Sequence, residues 1–385
     1  MISNESKFLI SIAEEIVSNR DSKDFSYIDR DNINWVAVKN YLSYHGLAPL
    51  AYVVLRKYFS LFPKELTSTL EATYGHYLIY VARAEKSFLN LCETFQDRGI
   101  TLIPIKGMAL LEDIYVKYPV RSISDIDVLV KEEEVDKASK ILEEQGFKKN
   151  LEDLKEEYWR QKQYHLVFIK KESDNSNLIV ELHWNIDYPR KGRQLLTKMF
   201  YRLRDSLIQN KNVKLLSIED TFFVSALHQR RLGSALSLKD VCDMALLLNK
   251  YKSDFDWKYV LDESKMCRIN STVYFALYQV KFLLKIDIPE YVWKGLKVPV
   301  WKRWLIRHFI ENNTFLAGQR NDNKSLYLKT HFLLYDSIWE PMEYIFNIPQ
   351  EQFAKYYNLE PYSKKTGFFY NFRLLYMPFK VLKEF

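Results

Sequence analysis

Apolar and polar positions divide the chain into three stretches. From the N-terminus to about residue 98 the apolar positions fall at helical spacing. Phe8, Leu9, Ile12, Ala13, Ile16 and Val17 form one stripe, and the period returns over 36–42 and 66–95. Asp97-Arg98-Gly99 predicts the end of the long helix, with Gly99 as its left-handed cap. At Ile100 the pattern changes. Residues 100–105 form a short β-branched run, and 124–130 alternate and then become fully apolar, so both are predicted strands. A helix is predicted over 108–115. Another over 132–145 has acids in its first turn, which suit the helix dipole, and Gly146 as its stop. Residues 164–170 and 178–184 are two more strands joined by the polar stretch 172–177. After Asp187 the helical period resumes, most clearly over 221–227, 238–248, 271–284 and 300–309. The predicted class is α+β. A mixed-sheet core over 99–190 is flanked by a helical segment over 1–98 and a helical domain over 191–385.

Composition narrows the class. In 385 residues, 48% hydrophobic and 27% charged positions are enough to offset chain entropy, which excludes global disorder. Only 10 glycines and 11 prolines exclude collagen-like and low-complexity chains. A net charge of +7 permits an anionic partner such as a nucleotide without demanding DNA or RNA. Cys92, Cys242 and Cys267 are widely spaced, which argues against a disulfide framework or a structural zinc site and fits a reducing cytoplasm. With acids at Glu5, Glu14 and Glu15 and no apolar h-region, residues 1–20 are not expected to be a signal peptide. No apolar run reaches the ~18 residues of a membrane span. The nearest, 273–284, is broken by Gln279 and Lys281 and is expected to be a buried helix.

Candidate chemistry centres on acids. Asp125 and Asp127 lie two apart on a predicted strand, so both side chains share one face. Adjacent carboxylates repel, and a hard divalent cation such as Mg²⁺ relieves that repulsion while holding substrate phosphates. Two other Asp-x-Asp pairs, at Asp29/Asp31 and Asp254/Asp256, lie in polar stretches and are expected to be turns or helix caps. Glu181 and His183 share a face of the last predicted strand. If that strand lies beside the one bearing Asp125, three carboxylates converge. His183 then orients Glu181, contacts substrate, or serves as a buried structural histidine. Lys106-Gly107 sits between a strand and a helix, where backbone N–H groups and an ammonium suit phosphate. Arg121 adds positive charge four residues before Asp125, or pairs with one of the aspartates. His165 and His228 are expected to be packing residues. The basic cluster of Arg190, Lys191, Arg193, Lys198, Arg202 and Arg204 is expected to be a solvated helix face. The aromatic-basic C-terminus over 368–385 is expected to pack on the helical domain.

Three motifs together, Lys106-Gly107, RSISDIDVLV at 121–130 and VELHW at 180–184, resemble the nucleotidyltransferase superfamily, and more narrowly its uncharacterised bacterial branch. The resemblance is best over 99–190. It extends through His45-Gly46 upstream and through His228 and Asp240-Val241-Cys242-Asp243 downstream. The Lys-Gly turn departs from the Gly-Ser or Gly-Gly of the wider superfamily, as it does throughout the narrower branch. The resemblance implies that Asp125, Asp127 and Glu181 hold one or two Mg²⁺ ions, and that Lys106, Gly107, Arg121 and Ser124 bind a nucleoside triphosphate. It implies nucleotidyl transfer to a hydroxyl of unknown identity, a small molecule or protein ahead of nucleic acid, with loss of pyrophosphate. A non-catalytic nucleotide- or partner-binding module on the same fold is the alternative, and a metal-dependent phosphohydrolase the third possibility. A catalytic site requires all three carboxylates within reach of one cation, whereas a binding module tolerates their divergence. Lys106 and Arg121, placed at strand ends or loops, are expected to contribute little to stability.

Overall fold

The computed structural model describes residues 3–18, 24–25, 29–115, 118, 120–152, 154–187, 193–231, 237–312, 332–346, 348–373 and 375. Its centre is a five-stranded mixed sheet built from β1 (Ile103–Pro104), β2 (Ile126–Leu129), β3 (Lys148–Asn150), β4 (His165–Lys171) and β5 (Asn177–His183), in the spatial order β1-β2-β5-β4-β3. The β2–β5 pair is parallel and the remaining pairs are antiparallel. Strand alternation gives the sheet two different faces. Ile126, Val128, Val180, Leu182, Leu166 and Phe168 enter one apolar cluster with Phe88 and Phe95 of the long helix α4 (Lys64–Asp97; α1 to α3 precede it) and with Ile141 and Leu142 of α6 (Val135–Glu144). Asp127, Glu181 and His183 occupy the intervening positions and face the other way.

The three helices before α4 are α1 (Asn4–Ser18), α2 (Trp35–Tyr44) and α3 (Ala48–Leu55). They share a second apolar cluster with the C-terminal helices α9 (Ile218–Arg231), α10 (Leu238–Lys250) and α12 (Asn270–Leu284). The long helix α4 links the two clusters: Leu66 and Leu70 belong to the helical one, while Val81 to Phe95 belong to the sheet. Helix α12 is buried on nearly every face, as its interrupted apolar run predicts. No helix among the described residues is long and apolar enough to cross a membrane.

Several elements differ from the sequence expectation, each for a physical reason. The first strand is only Ile103–Pro104; Pro104 offers no N–H on the side away from β2, while the Ile105 N–H still bonds to β2 as the chain turns into the Lys-Gly segment. β3 is a polar edge strand, Lys-Lys-Asn, with no apolar alternation to announce it. Residues 204–215, expected within the helical region, form a hairpin of β6 (Arg204–Ile208) and β7 (Lys211–Leu215). Gln209 (φ +46°) and Asn210 (φ +64°) make its two-residue turn without glycine, in the conformation that matches strand twist. Ile208, Val213 and Leu215 tuck into the sheet cluster.

Two glycines isolate the effect of backbone conformation. A Cβ placed on Gly75, inside α4, or on Gly99, just after it, would meet nothing within 4 Å. Gly99 has φ +71°, as a left-handed cap requires, whereas Gly75 is helical. Gly75→Ala is expected to raise stability by about 0.4–1 kcal/mol, and Gly99→Ala to lower it by roughly 1–2 kcal/mol. Urea denaturation of both variants checks the opposite signs.

Candidate active site

The parallel register of β2 and β5 sets Asp127 directly opposite Glu181. The pleat aims both, with His183, at the same side of the sheet. His183 Nε2 lies 2.9 Å from Asp127 Oδ1 and 3.2 Å from Glu181 Oε2, and its ring stacks on His165 at a centroid distance of 5.0 Å. One ligand atom from each of Asp127, Glu181 and His183 falls within 4.8 Å of the others, and all three residues are buried. The Lys-Gly turn adds a cation. The Ile105 N–H donates to the Asp127 carbonyl at 3.0 Å, which fixes the turn against β2. Lys106, first residue of α5 (Lys106–Ile114), has φ +51°, unusual for a side chain this size. Its ammonium is ion-paired with Asp127 and lies 3.9 Å from Glu181 Oε2. Gly107 is required for packing: a Cβ there would lie 2.6 Å from Ile123 Cγ2 and 2.9 Å from Arg121 Nη1.

Electrostatics separate the two aspartates. Burial would raise Asp127, but the Lys106 charge and the hydrogen bond from His183 outweigh it and hold the carboxyl down at about 2. Asp125 is pushed up to about 6, by burial first and then by repulsion from Asp127 and Glu181. Asp125 stands half-buried at the bend before β2, outside the group of three whose ligand atoms converge. Ser124 is exposed beside it, and its carbonyl accepts from the Tyr80 hydroxyl at 2.7 Å.

Arg121 has a different setting from the one expected. It is buried, and its guanidinium grips Asp243 of α10 with two nitrogens, Nε at 2.9 Å from Oδ1 and Nη2 on Oδ2. The Tyr115 hydroxyl donates to the same carboxylate at 2.6 Å. Arg121 therefore joins the sheet to the helical half. The expectation of a solvated residue of little structural consequence is corrected, because the partner acid lies more than a hundred positions away in sequence. Nearby, the Ser122 hydroxyl donates to the Gly46 carbonyl at 2.6 Å, and the Leu238 N–H donates to His45 Nδ1 at 3.3 Å. The His45-Gly46 and Asp240 to Asp243 motifs thus meet the 121–124 loop.

These contacts frame a cleft of about 660 Å³. Lys106, Asp125, Asp127 and Glu181 line one side, and Lys239 and Asp240 of α10 line the other, with Ser225 and His228 of α9 beside them. Asp240 lies one helical turn from Asp243, but its carboxylate has no hydrogen bond or ion pair among the described residues, and burial raises its pKa. The i, i+3 spacing placed both acids on one face; only the tertiary partners distinguish them. The other Asp-x-Asp pairs stay outside the cleft. Asp29 accepts from Asn32 at 2.7 Å, and Asp256 caps α11 (Trp257–Met266; the short α7, Glu156–Lys162, and α8, Arg193–Tyr201, precede α9) through the Tyr259 N–H at 3.0 Å. In the basic cluster Lys198, Arg202 and Arg204 pair with Glu263, Glu219 and Asp113. Arg190 and Lys191, and the chain from 376 onward, lie outside the described residues.

A mixed sheet whose parallel central pair presents neighbouring acids beside a Lys-Gly turn has the site architecture that the three motifs imply for a nucleotidyltransferase. The chain belongs to a family of uncharacterised nucleotidyltransferases, whose model matches residues 31–285. That span runs from before the His45-Gly46 turn to the end of α12, and so includes both walls of the cleft. No curated protein and no solved structure matches the chain.

Two predictions test this geometry. Arg121→Ala leaves Asp243 buried without its cation, so it is expected to cost about 3–5 kcal/mol of stability in urea denaturation. Asp125 supplies a pH test. Unfolded, it titrates near its ordinary 3.8, and folded near 6, so between these values the native state binds more protons than the unfolded one. Stability from this group is therefore lost as pH rises through that window. In chelator-containing buffer, Asp125→Asn is expected to melt with the wild type below pH 4 and above it at pH 7. A constant offset at both pH values would rule out a raised Asp125 pKa as the cause.

Proposed function

We propose that the protein is a magnesium-dependent nucleotidyltransferase. It takes ATP or another nucleoside triphosphate, passes the nucleotidyl group to a hydroxyl of a small molecule or protein, and releases pyrophosphate. The observation that carries this reading is the Asp127–Glu181 cross-strand pair at the floor of the cleft, with the Lys106 ammonium between them. The donor set fits a cation: two carboxylates and an imidazole converge, and a positive group is already drawn into their midst. Hard carboxylate oxygens suit Mg²⁺, which when bound neutralises the triphosphate and the departing pyrophosphate.

The chain's own residues divide the remaining work. Lys106 offers three donors to phosphate oxygens, and the N–H groups that open α5 at Gly107 face the same anion. Ser124, beside Asp125 in the cleft lining, adds a hydroxyl to the triphosphate side. Arg121 acts on the nucleotide through position, by holding the 121–124 loop against α10. His183 fixes the orientation of both buried acids. Asp125 and Glu181 complete the acidic side, and Asp240 on the opposite wall receives the acceptor hydroxyl, so that acceptor and triphosphate enter from different sides. Free Cys92, Cys242 and Cys267 suit a reducing cytoplasm.

The second reading, a nucleotide- or partner-binding module without catalysis, draws on the position of Asp125 outside the convergent group. Incubation with each labelled triphosphate and Mg²⁺, with and without cell extract, distinguishes the readings. Transfer of label to an extract component is expected for wild type and for the controls Asp29→Asn and Asp254→Asn. It is expected to disappear in Asp127→Asn and Glu181→Gln, whose amides are poor ligands for a hard cation. Tight nucleotide binding with no labelled product would favour the binding module, and hydrolysis without extract a phosphohydrolase.

A further inference from the structure

We propose that Lys106 is a built-in counter-ion that excludes free divalent cations from the carboxylate site, so that the site takes its metal as the metal–triphosphate complex. This deepens the transferase reading and rests on it for the identity of the anion.

Three features carry the inference. The Lys106 ammonium is paired with Asp127 and lies 3.9 Å from Glu181 Oε2, two of the three groups whose ligand atoms lie within 4.8 Å of one another. It occupies the position that would otherwise attract a cation. The backbone directs it there. Lys106 holds φ +51°, and the next residue is fixed by close packing of Gly107 on Ile123 and Arg121. A lysine kept in the left-handed region costs energy, and such strain persists where surrounding structure over-determines it. Finally, Arg121, the arginine on this side of the cleft, is committed to Asp243. It is therefore not the group that neutralises Asp127.

The consequence is an energetic coupling between two ligands. A free divalent ion entering between Asp127 and Glu181 must displace the ammonium and leave it next to a second positive charge. A triphosphate changes that balance, because its oxygens give the displaced ammonium new partners as the cation takes over the carboxylates. Metal and nucleotide then each strengthen the binding of the other by the same factor. A neighbouring charge at this range shifts an ionic equilibrium by one to three powers of ten.

The test titrates Mn²⁺ into the full chain, following the free-ion spectrum by electron paramagnetic resonance, with and without a non-hydrolysable triphosphate analogue. Wild type is expected to bind Mn²⁺ alone weakly and to bind it about tenfold or more tightly with the analogue. Lys106→Met is expected to bind Mn²⁺ alone about tenfold or more tightly than wild type and to lose most of the coupling. Lys106→Arg is expected to retain the wild-type pattern. Equal Mn²⁺ affinity in wild type and Lys106→Met overturns the proposal. So does wild-type affinity that the analogue does not change, a result that needs no variant to fold. Neither measurement involves an acceptor or turnover, so a failure to detect nucleotidyl transfer leaves both results interpretable.

Discussion

The buried pair of Arg121 and Asp243 is the contact on which the architecture turns. The sheet and the helical bundle each have an apolar cluster, and a hydrophobic seam does not by itself determine how two such bodies meet. A bidentate ion pair does, because only a narrow range of geometry satisfies both charges away from water. Tyr115 supplies a further donor to Asp243, and Ser122 joins the adjoining strand entry to the Gly46 turn. The loop just before Asp125 is thereby held against α10, and the space left between them is the cleft. The desolvation that makes such a pair costly to form is also what makes it costly to break.

Within the cleft the central constraint is like charge at short range. Asp127 and Glu181 are neighbours because parallel strands in register place them there, so their repulsion is set by the backbone. Lys106 and His183 offset it from two sides, one by charge and one by hydrogen bonding. Asp125 receives less of this compensation, and its raised pKa records the difference. A site assembled this way attracts positive charge, because its carboxylates are held together by the backbone and not by choice of partner. Lys106 reaches Asp127 from a left-handed backbone position, φ +51°, which a side chain of this size adopts at an energetic cost.

Much of this was legible in the sequence, for reasons that are local. The change from helical to two-residue period at Ile100 reflects how side chains project from helix and strand, so β2, β4 and β5 were predictable, as was the left-handed cap at Gly99. The alternation in VELHW and DIDVLV placed Glu181 with His183 and Asp127 opposite the apolar face. The polar setting of Asp254-Phe255-Asp256 marked a helix cap, as Asp256 proves to be. The turn at Gln209-Asn210 and the Lys-Lys-Asn edge strand were not legible, because neither has the glycine or the apolar alternation that announces such elements.

What the sequence determined by itself was therefore which residues face the same way: the acids on one side of a strand, the apolar residues on the other, Asp240 and Asp243 on one side of a helix. What only the tertiary structure decided was which of those residues are already engaged. Arg121 and Asp243 neutralise each other, Lys106 is committed to Asp127, and His183 joins Asp127 and Glu181 in the convergent group, while the Asp240 carboxylate faces the cleft with no hydrogen bond or ion pair among the described residues. Periodicity is a property of neighbouring residues, whereas ion pairing depends on where the chain returns, 21 positions on for Lys106 with Asp127 and 122 for Arg121 with Asp243. No local pattern carries that information.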